Sequence, residues 1–336
     1  MGYGKIAIFF TGGTIAMRQS ADGTVRPALH LKDLLADLFP SMNNGDCVGA
    51  GCELEAVEWA DLPSPHMTPA LMWKLAQDVK KTLHRPEIIG AVVTHGTDVL
   101  EETAFMLDLL LPRDKPVIIT GSMRSYGEAG YDGLRNLGLA IQVCTKEQVQ
   151  GFGVLALMTD KLFAAREVTK VHSLGVDSFD APGIGPVGYC AAGGIQVFRK
   201  PVVLTALEPQ NVETRVDLVA LAPGMGGHFI ACAREHGAKG LVVEGFGAGN
   251  IPPDAVAEIE KTLSAGIPVV LTSRCIEGGV WPVYGYSGGA NSLQNLGVIL
   301  GGNLRAQKAR ILLMLALALE KEGKAKIKDI FSHFLG

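Results

Sequence analysis

Short apolar runs recur along the first half of the chain, and each one ends abruptly in glycine or polar residues. The runs cover residues 5–10, 88–93, 117–120 and 154–158. Segments with apolar positions at helical spacing lie between them, at residues 70–83, 101–111 and 133–144. Continuous Val- and Ile-rich runs that alternate with helices are typical of a parallel sheet covered on both faces.

The pattern changes over residues 195–215, where the chain reads as an extended, polar segment interrupted by prolines. A second alternation follows, with strands predicted at 217–221, 240–243 and 268–272 and helices at 227–236, 253–264 and 305–319. We therefore predict an N-terminal α/β domain at 1–194, a linker at 195–215 and a C-terminal α/β domain at 216–336.

Composition fits an ordinary globular enzyme and excludes several classes of protein. The 336 residues suffice for a buried core in each of two domains. A formal charge of −4 argues against nucleic-acid binding. The chain has no apolar run of the length that a membrane helix needs, and it enters its first strand at Lys5 without room for a secretion signal. A cytoplasmic protein without membrane attachment is expected.

The six cysteines predict neither a metal site nor disulfides. The one close pair, Cys47 and Cys52, has no second pair and no clustered histidines beside it. Reduced, mostly buried thiols in a reducing compartment are the simpler interpretation. We expect no metal and no other cofactor.

Residues with useful chemistry follow the predicted strands. These segments are TGGT at 11–14, THGTD at 94–98, TGSMR at 120–124 and TDKLFAAREVTK at 159–170. Ligands of open parallel sheets bind beyond the carboxyl ends of the strands. A site rich in hydroxyl groups is therefore predicted at this edge of the sheet.

The TGGT corner has three interpretations: a phosphate cradle, a tight turn or the seat of a nucleophile. Neither a P-loop nor a dinucleotide-binding fingerprint fits its glycine spacing, and the EGFGAGN segment at 244–250 also lacks the third fingerprint glycine. Glycines at a corner let backbone amides approach a ligand while the Thr14 side chain projects freely. Thr14 then needs a base within reach, and Thr97, Asp98 and a desolvated Lys170 are the candidates.

Five motifs in order resemble the bacterial asparaginase/glutaminase family: TGGTIAM, VVTHGTDVLEETAFMLDL, ITGSMR with YDGLRNL, REVTKVHS and QKARILLMLAL. They span nearly the whole chain. The resemblance implies a larger flavodoxin-like N-terminal domain, a smaller C-terminal α/β domain and assembly as a homodimer or homotetramer. It also implies hydrolysis of a small amino-acid amide to an acid and ammonia.

The resemblance also implies roles for individual residues. Thr14 would be the acylated nucleophile, while Thr97, Asp98 and Lys170 would move protons and activate water. Ser64 would bind the substrate carboxylate, Asp98 its ammonium group, and Ser122 would lie near the amide. The GSMR form and the YGYSGG stretch resemble cytoplasmic members of the family more than secreted ones.

Each of these residues also has a structural alternative. Thr14 or Asp98 could cap a helix, Lys170 could be a surface lysine, and Ser64 could simply form a turn. His95 is expected to be a packed histidine beside the site rather than a catalytic group.

The chain departs from the family pattern in two places. The loop at 18–31 has no tyrosine to place over the nucleophile, and Thr24 or Val25 stands at that position, which leaves Tyr126 or Tyr131 as substitutes. Residues 278–304 contain no acid to complete a partner's site. The residues that could replace that acid are Asn250, Tyr284, Tyr286 and Asn291.

Three functions stay open at this stage. The first is an L-asparaginase, and the second is a glutaminase or a hydrolase of another amino-acid amide, since one methylene gives only about 1–3 kcal/mol of discrimination. The third is a non-catalytic amino-acid-binding protein.

Overall fold

The computed structural model describes residues 4–20, 22–39, 52–191, 194–202 and 205–333, and Cys47 lies outside these ranges. The chain divides into two compact units, residues 1–206 and 207–336. Both units are α/β, which confirms the predicted two-domain fold class. The exact limits of the predicted linker stay a prediction.

The first unit is built on an eight-stranded sheet with the order β12-β11-β8-β7-β6-β5-β1-β4. Two short antiparallel pairs, β2 with β3 and β9 with β10, accompany it. Its strands are β1 (Lys5–Phe10), β2 (Met17–Gln19), β3 (Val25–Pro27), β4 (Glu53–Glu58), β5 (Ile88–Thr94), β6 (Val117–Thr120), β7 (Val154–Met158), β8 (Lys161–Ala164), β9 (Thr169–Lys170), β10 (Phe179–Asp180), β11 (Gly188–Ala191) and β12 (Gly194–Val197). Its helices are α1 (Leu31–Leu38), α2 (Pro69–Leu83), α3 (Leu100–Leu110) and α4 (Gly133–Cys144).

Five consecutive strands of this sheet, β4-β1-β5-β6-β7, are parallel and follow the flavodoxin-like order. The predicted runs at 5–10, 117–120 and 154–158 coincide with β1, β6 and β7. In such sheets the chain reverses its direction of winding beside the first strand, here between β1 and β5. The segments TGGT and THGTD leave the sheet at this crevice.

Helices cover both faces, which explains why the central strands are apolar throughout. Ile6, Ile8 and Phe10 of β1 share a buried cluster with residues of α1 and α4. Helices α2 and α3 pack on each other and on β5 to β7, on the opposite side. The five parallel strands are thereby held rigidly, and their carboxyl ends form a fixed platform.

The other end of the sheet is antiparallel, which the apolar pattern did not predict. Thr159 and Asp160 adopt positive φ angles and turn β7 back into β8. Residues 161–164 of the motif at 159–170 are therefore a strand. Residues 195–197, assigned to the linker by their polar sequence, lie in β12 and pair with β11.

The second unit has a four-stranded parallel sheet with the order β13-β14-β15-β16. Its elements are β13 (Val216–Ala220), α5 (His228–Glu235), β14 (Gly240–Gly245), α6 (Val256–Ser264), β15 (Val269–Ser273), α7 (Ala290–Leu296), β16 (Ile299–Leu300), α8 (Ala306–Lys321) and α9 (Ile327–Ser332). Helix α8 buries most of its Ala and Leu side chains and packs on β13, β14 and β15, as predicted for 305–319. None of the described helices has the length and apolar character to cross a membrane.

Candidate active site

The corner after β1 requires its two glycines. Gly12 and Gly13 have φ angles of 91° and 89°, in the left-handed region that disfavours side chains. A Cβ atom placed on Gly13 would lie 2.5 Å from both the N and the Cα of Gly96. The backbone that carries Thr14 therefore packs directly against the THGTD segment.

Two further close approaches bring the remaining segments to this corner. A Cβ atom on Gly96 would lie 2.6 Å from Cβ of Ser64, and one on Gly121 would lie 2.4 Å from the carbonyl oxygen of His95. The segments that follow β1, β4, β5 and β6 thus converge, as expected from their common edge of the sheet. All of these residues belong to the first unit.

Thr14 begins a short 3-10 turn, Thr14–Ala16, and is half-buried. The residue that precedes the turn is Gly13, so Thr14 does not cap it. Within the described part of the chain, the Thr14 hydroxyl takes part in no side-chain hydrogen bond. It is free to meet a ligand in the crevice.

Lys170 joins the two other residues of the predicted catalytic cluster. Its Nζ donates hydrogen bonds to Oγ1 of Thr97 at 2.9 Å and to Oδ1 of Asp98 at 2.8 Å. The Lys170 side chain is only 14% exposed, whereas that of Asp98 is 58% exposed. Lys170 is therefore not a solvated surface lysine, and Asp98 presents much of its carboxylate to solvent.

Ser64 and His95 share one acceptor, the carbonyl oxygen of Gly96. Ser64 Oγ donates to it at 2.8 Å and accepts from the amide of Val99 at 3.0 Å. His95 Nδ1 lies 2.7 Å from the same oxygen, and Thr103 Oγ1 lies 2.9 Å from His95 Nε2. Because a carbonyl only accepts, Nδ1 carries the proton and Nε2 accepts from Thr103.

His95 is fully buried, and this burial lowers its pKa to about 4. A neutral imidazole results, whose two nitrogens are both engaged in holding the turn after β5. His95 is therefore the packed histidine that its position suggested.

The predicted contact between Ser122 and the substrate amide stays a prediction, and the Ser122 hydroxyl bonds within its own loop. The Ser122 hydroxyl is fully buried and bonds to the carbonyl of Arg124 and, at 2.8 Å, to the carboxylate of Asp132. The Asp132 carboxylate also accepts hydrogen bonds from the backbone amides of Met123 and Arg124. These bonds satisfy the hydroxyl inside the loop and stabilise the loop.

Asp132 is a residue whose role sequence reasoning missed. It lies in the YDGLRNL motif, where it stood only as the residue before a helix. The Nδ2 of Asn136, one turn later, donates to Asp132 at 3.0 Å and to the carbonyl of Gly121 at 2.9 Å. The pair anchors the segment after β6 to the start of α4.

The hairpin that follows Thr14, formed by β2 and β3, carries no tyrosine. Thr24 and Val25, the two candidates for the position where the family pattern has one, are both exposed, and the Thr24 hydroxyl bonds to Asp22 at 2.6 Å. Tyr126 and Tyr131 pack edge to face nearby, with ring centroids 5.5 Å apart. The amide of Tyr126 bonds to the carbonyl of Met17 at 2.8 Å, and the Tyr131 hydroxyl bonds to the carbonyl of Ile15.

Asn250, Tyr284, Tyr286 and Asn291 all lie in the second unit. The Oδ1 of Asn250 is buried without a hydrogen-bond partner among the described residues. The rings of Tyr284 and Tyr286 are exposed and 5.5 Å apart. Within the described ranges, no group of three or more His, Cys, Asp or Glu residues is arranged to hold a metal ion.

The chain matches known proteins over nearly the whole length of both partners. The family profile "Asparaginase, N-terminal" matches residues 5–203, and "Glutaminase/Asparaginase C-terminal domain" matches 215–331. A probable L-asparaginase of Deinococcus radiodurans is 40% identical, over 98% of this chain and 97% of its own. An L-asparaginase of Bacillus licheniformis is 34% identical, over 98% of this chain and 99% of its own.

A solved structure agrees with these matches. The crystal structure of a probable cytoplasmic L-asparaginase from Campylobacter jejuni superimposes with a TM-score of 0.85 at 32% identity, covering 98% of this chain and 99% of that one. Sequence and fold thus match over both domains. The chain belongs to the asparaginase family of amidohydrolases.

Proposed function

We propose that the protein is an L-asparaginase that hydrolyses L-asparagine to L-aspartate and ammonia through an acyl-enzyme on Thr14. The observation that carries this proposal is the hydrogen-bonded cluster of Lys170, Thr97 and Asp98 beside the glycine corner of Thr14. A binding protein needs no hydroxyl nucleophile next to such a cluster. Family membership supports the same conclusion.

In the first step, Thr14 Oγ1 attacks the side-chain amide carbon of asparagine. A new C–O bond forms, the C–N bond breaks, and the departing nitrogen receives the proton that Thr14 loses, so that ammonia leaves. The product is an ester between Thr14 and the aspartyl group. The close packing of Gly13 against Gly96 brings backbone amides of the two turns together, and these are the candidate donors to the developing oxyanion.

In the second step, water attacks the ester carbon and releases aspartate with the regenerated Thr14 hydroxyl. One proton of this water passes through the Thr97 hydroxyl to Thr14 Oγ1 as the ester C–O bond breaks. Lys170 supports this transfer by donating to Thr97 Oγ1 at 2.9 Å, which orients the hydroxyl. Asp98 holds Lys170 in place.

Asp98 and Ser64 would recognise the amino-acid end of the substrate. Lys170 engages only Oδ1 of Asp98, which leaves Oδ2 for the substrate ammonium. Ser64 donates to the Gly96 carbonyl, and rotation about its Cβ–Oγ bond redirects this proton to the substrate carboxylate. His95 Nδ1 continues to satisfy the Gly96 carbonyl after that rotation.

Assays of ammonia release from L-asparagine, L-glutamine, D-asparagine and a peptide amide test the proposal. We expect L-asparagine to have the highest kcat/KM, with L-glutamine slower. A higher kcat/KM for another amide would make the protein a glutaminase or another amidase. Binding of aspartate without ammonia release from any amide would make it a non-catalytic homologue.

We also infer that the protein is a cytoplasmic homodimer or homotetramer. The second unit exposes several large apolar side chains on one loop, and such patches mark interfaces: Ile276, Trp281, Val283, Tyr284 and Tyr286. Light scattering of the purified protein should give a mass of at least two chains, and a single chain would refute the assembly. Fractionation of the producing cells tests the compartment, which the Campylobacter jejuni neighbour supports.

A further inference from the structure

The turn that carries Thr14 is held by a complete set of hydrogen bonds to its carbonyl groups. The Gly13 carbonyl accepts from the amide of Ala16 at 3.1 Å, and the Thr14 carbonyl accepts from the amide of Met17. The Ala16 carbonyl accepts from two amides of the next segment, at residues 28 and 29. Backbone amides therefore hold three of the four carbonyls.

The fourth carbonyl, that of Ile15, is held by a side chain. Its donor is the hydroxyl of Tyr131, which lies 116 residues later in the chain. Ile15 itself is fully buried, so its carbonyl cannot readily exchange this donor for bulk water. Tyr131 thus completes the bonding of the peptide next to the proposed nucleophile.

The surroundings of Tyr131 fix its ring in this position. A Cβ atom on Gly133 would lie 2.2 Å from the Tyr131 hydroxyl oxygen, so the ring occupies the space that this glycine leaves open. The ring of Tyr126 packs edge to face against the ring of Tyr131. The backbone amide of Tyr126 donates to the carbonyl of Met17, in the hairpin after Thr14. Burial raises the pKa of Tyr131, which keeps its hydroxyl protonated and able to donate.

We propose that Tyr131 is a positioning residue that holds the Thr14 turn in attack geometry through the Ile15 carbonyl. This inference rests on the proposed function, because it assumes that Thr14 is the nucleophile. The 18–31 loop supplies no tyrosine, so the hydroxyl that steadies the nucleophile comes from the segment before α4.

A positioning role predicts a particular kinetic signature. Misplacing a reacting group by about 1 Å can cost roughly a hundredfold in rate. Among the described residues, Asp98 and Ser64, the groups proposed to bind the amino-acid end, have hydrogen-bond partners other than Tyr131, so substrate affinity is not its task. Loss of its hydroxyl should slow acylation and leave KM nearly unchanged.

The test compares Tyr131→Phe with Tyr189→Phe, a control on the exposed part of β11. We expect kcat and the single-turnover acylation rate of Tyr131→Phe to fall by about tenfold or more, with KM within about twofold. Tyr189→Phe should match wild type. An unchanged kcat in Tyr131→Phe, or a rise in KM alone, would overturn the inference.

A second variant covers the case in which Tyr131→Phe is poorly folded. Gly133→Ala keeps the tyrosine but places a methyl group where its hydroxyl lies, so the hydroxyl must leave Ile15. The same loss of kcat is expected, and a wild-type kcat would contradict the role. If Thr14→Ala is active, the proposed function fails; if Thr14→Ala is inactive but both Tyr131 tests give wild-type rates, only this inference fails.

Discussion

The Nζ of Lys170 lies 2.8 Å from the Asp98 carboxylate, although 72 residues separate them along the chain. The same nitrogen lies 2.9 Å from the hydroxyl of Thr97. One lysine therefore connects a group suited to bind an ammonium with a hydroxyl suited to pass a proton. This arrangement joins substrate binding and water activation in a single cluster.

Lys170→Met should remove this connection at nearly constant side-chain length. Ammonia release is expected to fall by about a hundredfold or more, because general acid–base groups contribute roughly 10²–10⁴ in rate. Lys161→Met is a matched control, since Lys161 is a nearby lysine that pairs with Asp177. Equal activity in the two variants would show that Lys170 is dispensable.

Gly13→Ala should damage both stability and activity. Its Cβ would meet backbone atoms of Gly96 at 2.5 Å, in addition to the cost of a φ angle of 89°. We expect the free energy of unfolding to fall by about 2–4 kcal/mol in denaturant titrations. Gly23→Ala shares the positive φ but has open space around it, so it should cost only about 1 kcal/mol and spare the activity.

Ser64→Ala and Ser122→Ala should separate binding from loop stability. Removing the Ser64 hydroxyl is expected to raise KM for asparagine about tenfold, through the lost bond to the substrate carboxylate. Removing the Ser122 hydroxyl should lower the free energy of unfolding by about 1–2 kcal/mol and leave KM unchanged, because it bonds Asp132. Steady-state kinetics measure the change in KM, and urea unfolding measures the change in the free energy of unfolding. A raised KM in Ser122→Ala would restore the contact predicted from the sequence.

His95 should make the fold sensitive to acid. Its pKa of about 4 in the fold lies below the value near 6.5 of an unfolded chain, so the unfolded chain binds the proton more tightly. The free energy of unfolding therefore has its full value above about pH 6.5. It falls by about 3 kcal/mol in total as the pH is lowered towards 4. We expect the free energies of unfolding of wild type and His95→Gln, measured across this pH range, to draw closer by that amount as the pH falls. Parallel curves would mean that His95 does not titrate as its burial requires.

The strands and the edge where the site lies were predictable, because buried parallel strands leave an unambiguous apolar pattern. The run at 5–10 is β1, and the segments after the predicted strands β1, β5 and β6 meet, while Lys170 reaches Thr97 from a position beyond β8. The antiparallel strands β8, β11 and β12 were missed, because short strands at a sheet margin carry mixed polar sequences. Strand β4, in which three of the six residues are glutamates, was missed for the same reason.

Side-chain direction was not predictable from sequence. Ser122 follows a strand like the other candidates, yet its hydroxyl donates to the carboxylate of Asp132, ten residues later. Tyr131 stood beside Tyr126 as an equal candidate, and only the fold distinguishes them, because one bonds to Ile15 and the other to Asp37. Long-range partners of this kind depend on packing that no local pattern encodes.

The most direct test of the account is ammonia release from L-asparagine by wild type and Thr14→Ala. The substitution removes the hydroxyl and the methyl group of a half-buried side chain and should leave the fold intact. Without a nucleophile no acyl-enzyme forms, and we expect the rate to fall by about a thousandfold or more. Activity of Thr14→Ala equal to that of wild type would contradict the central claim.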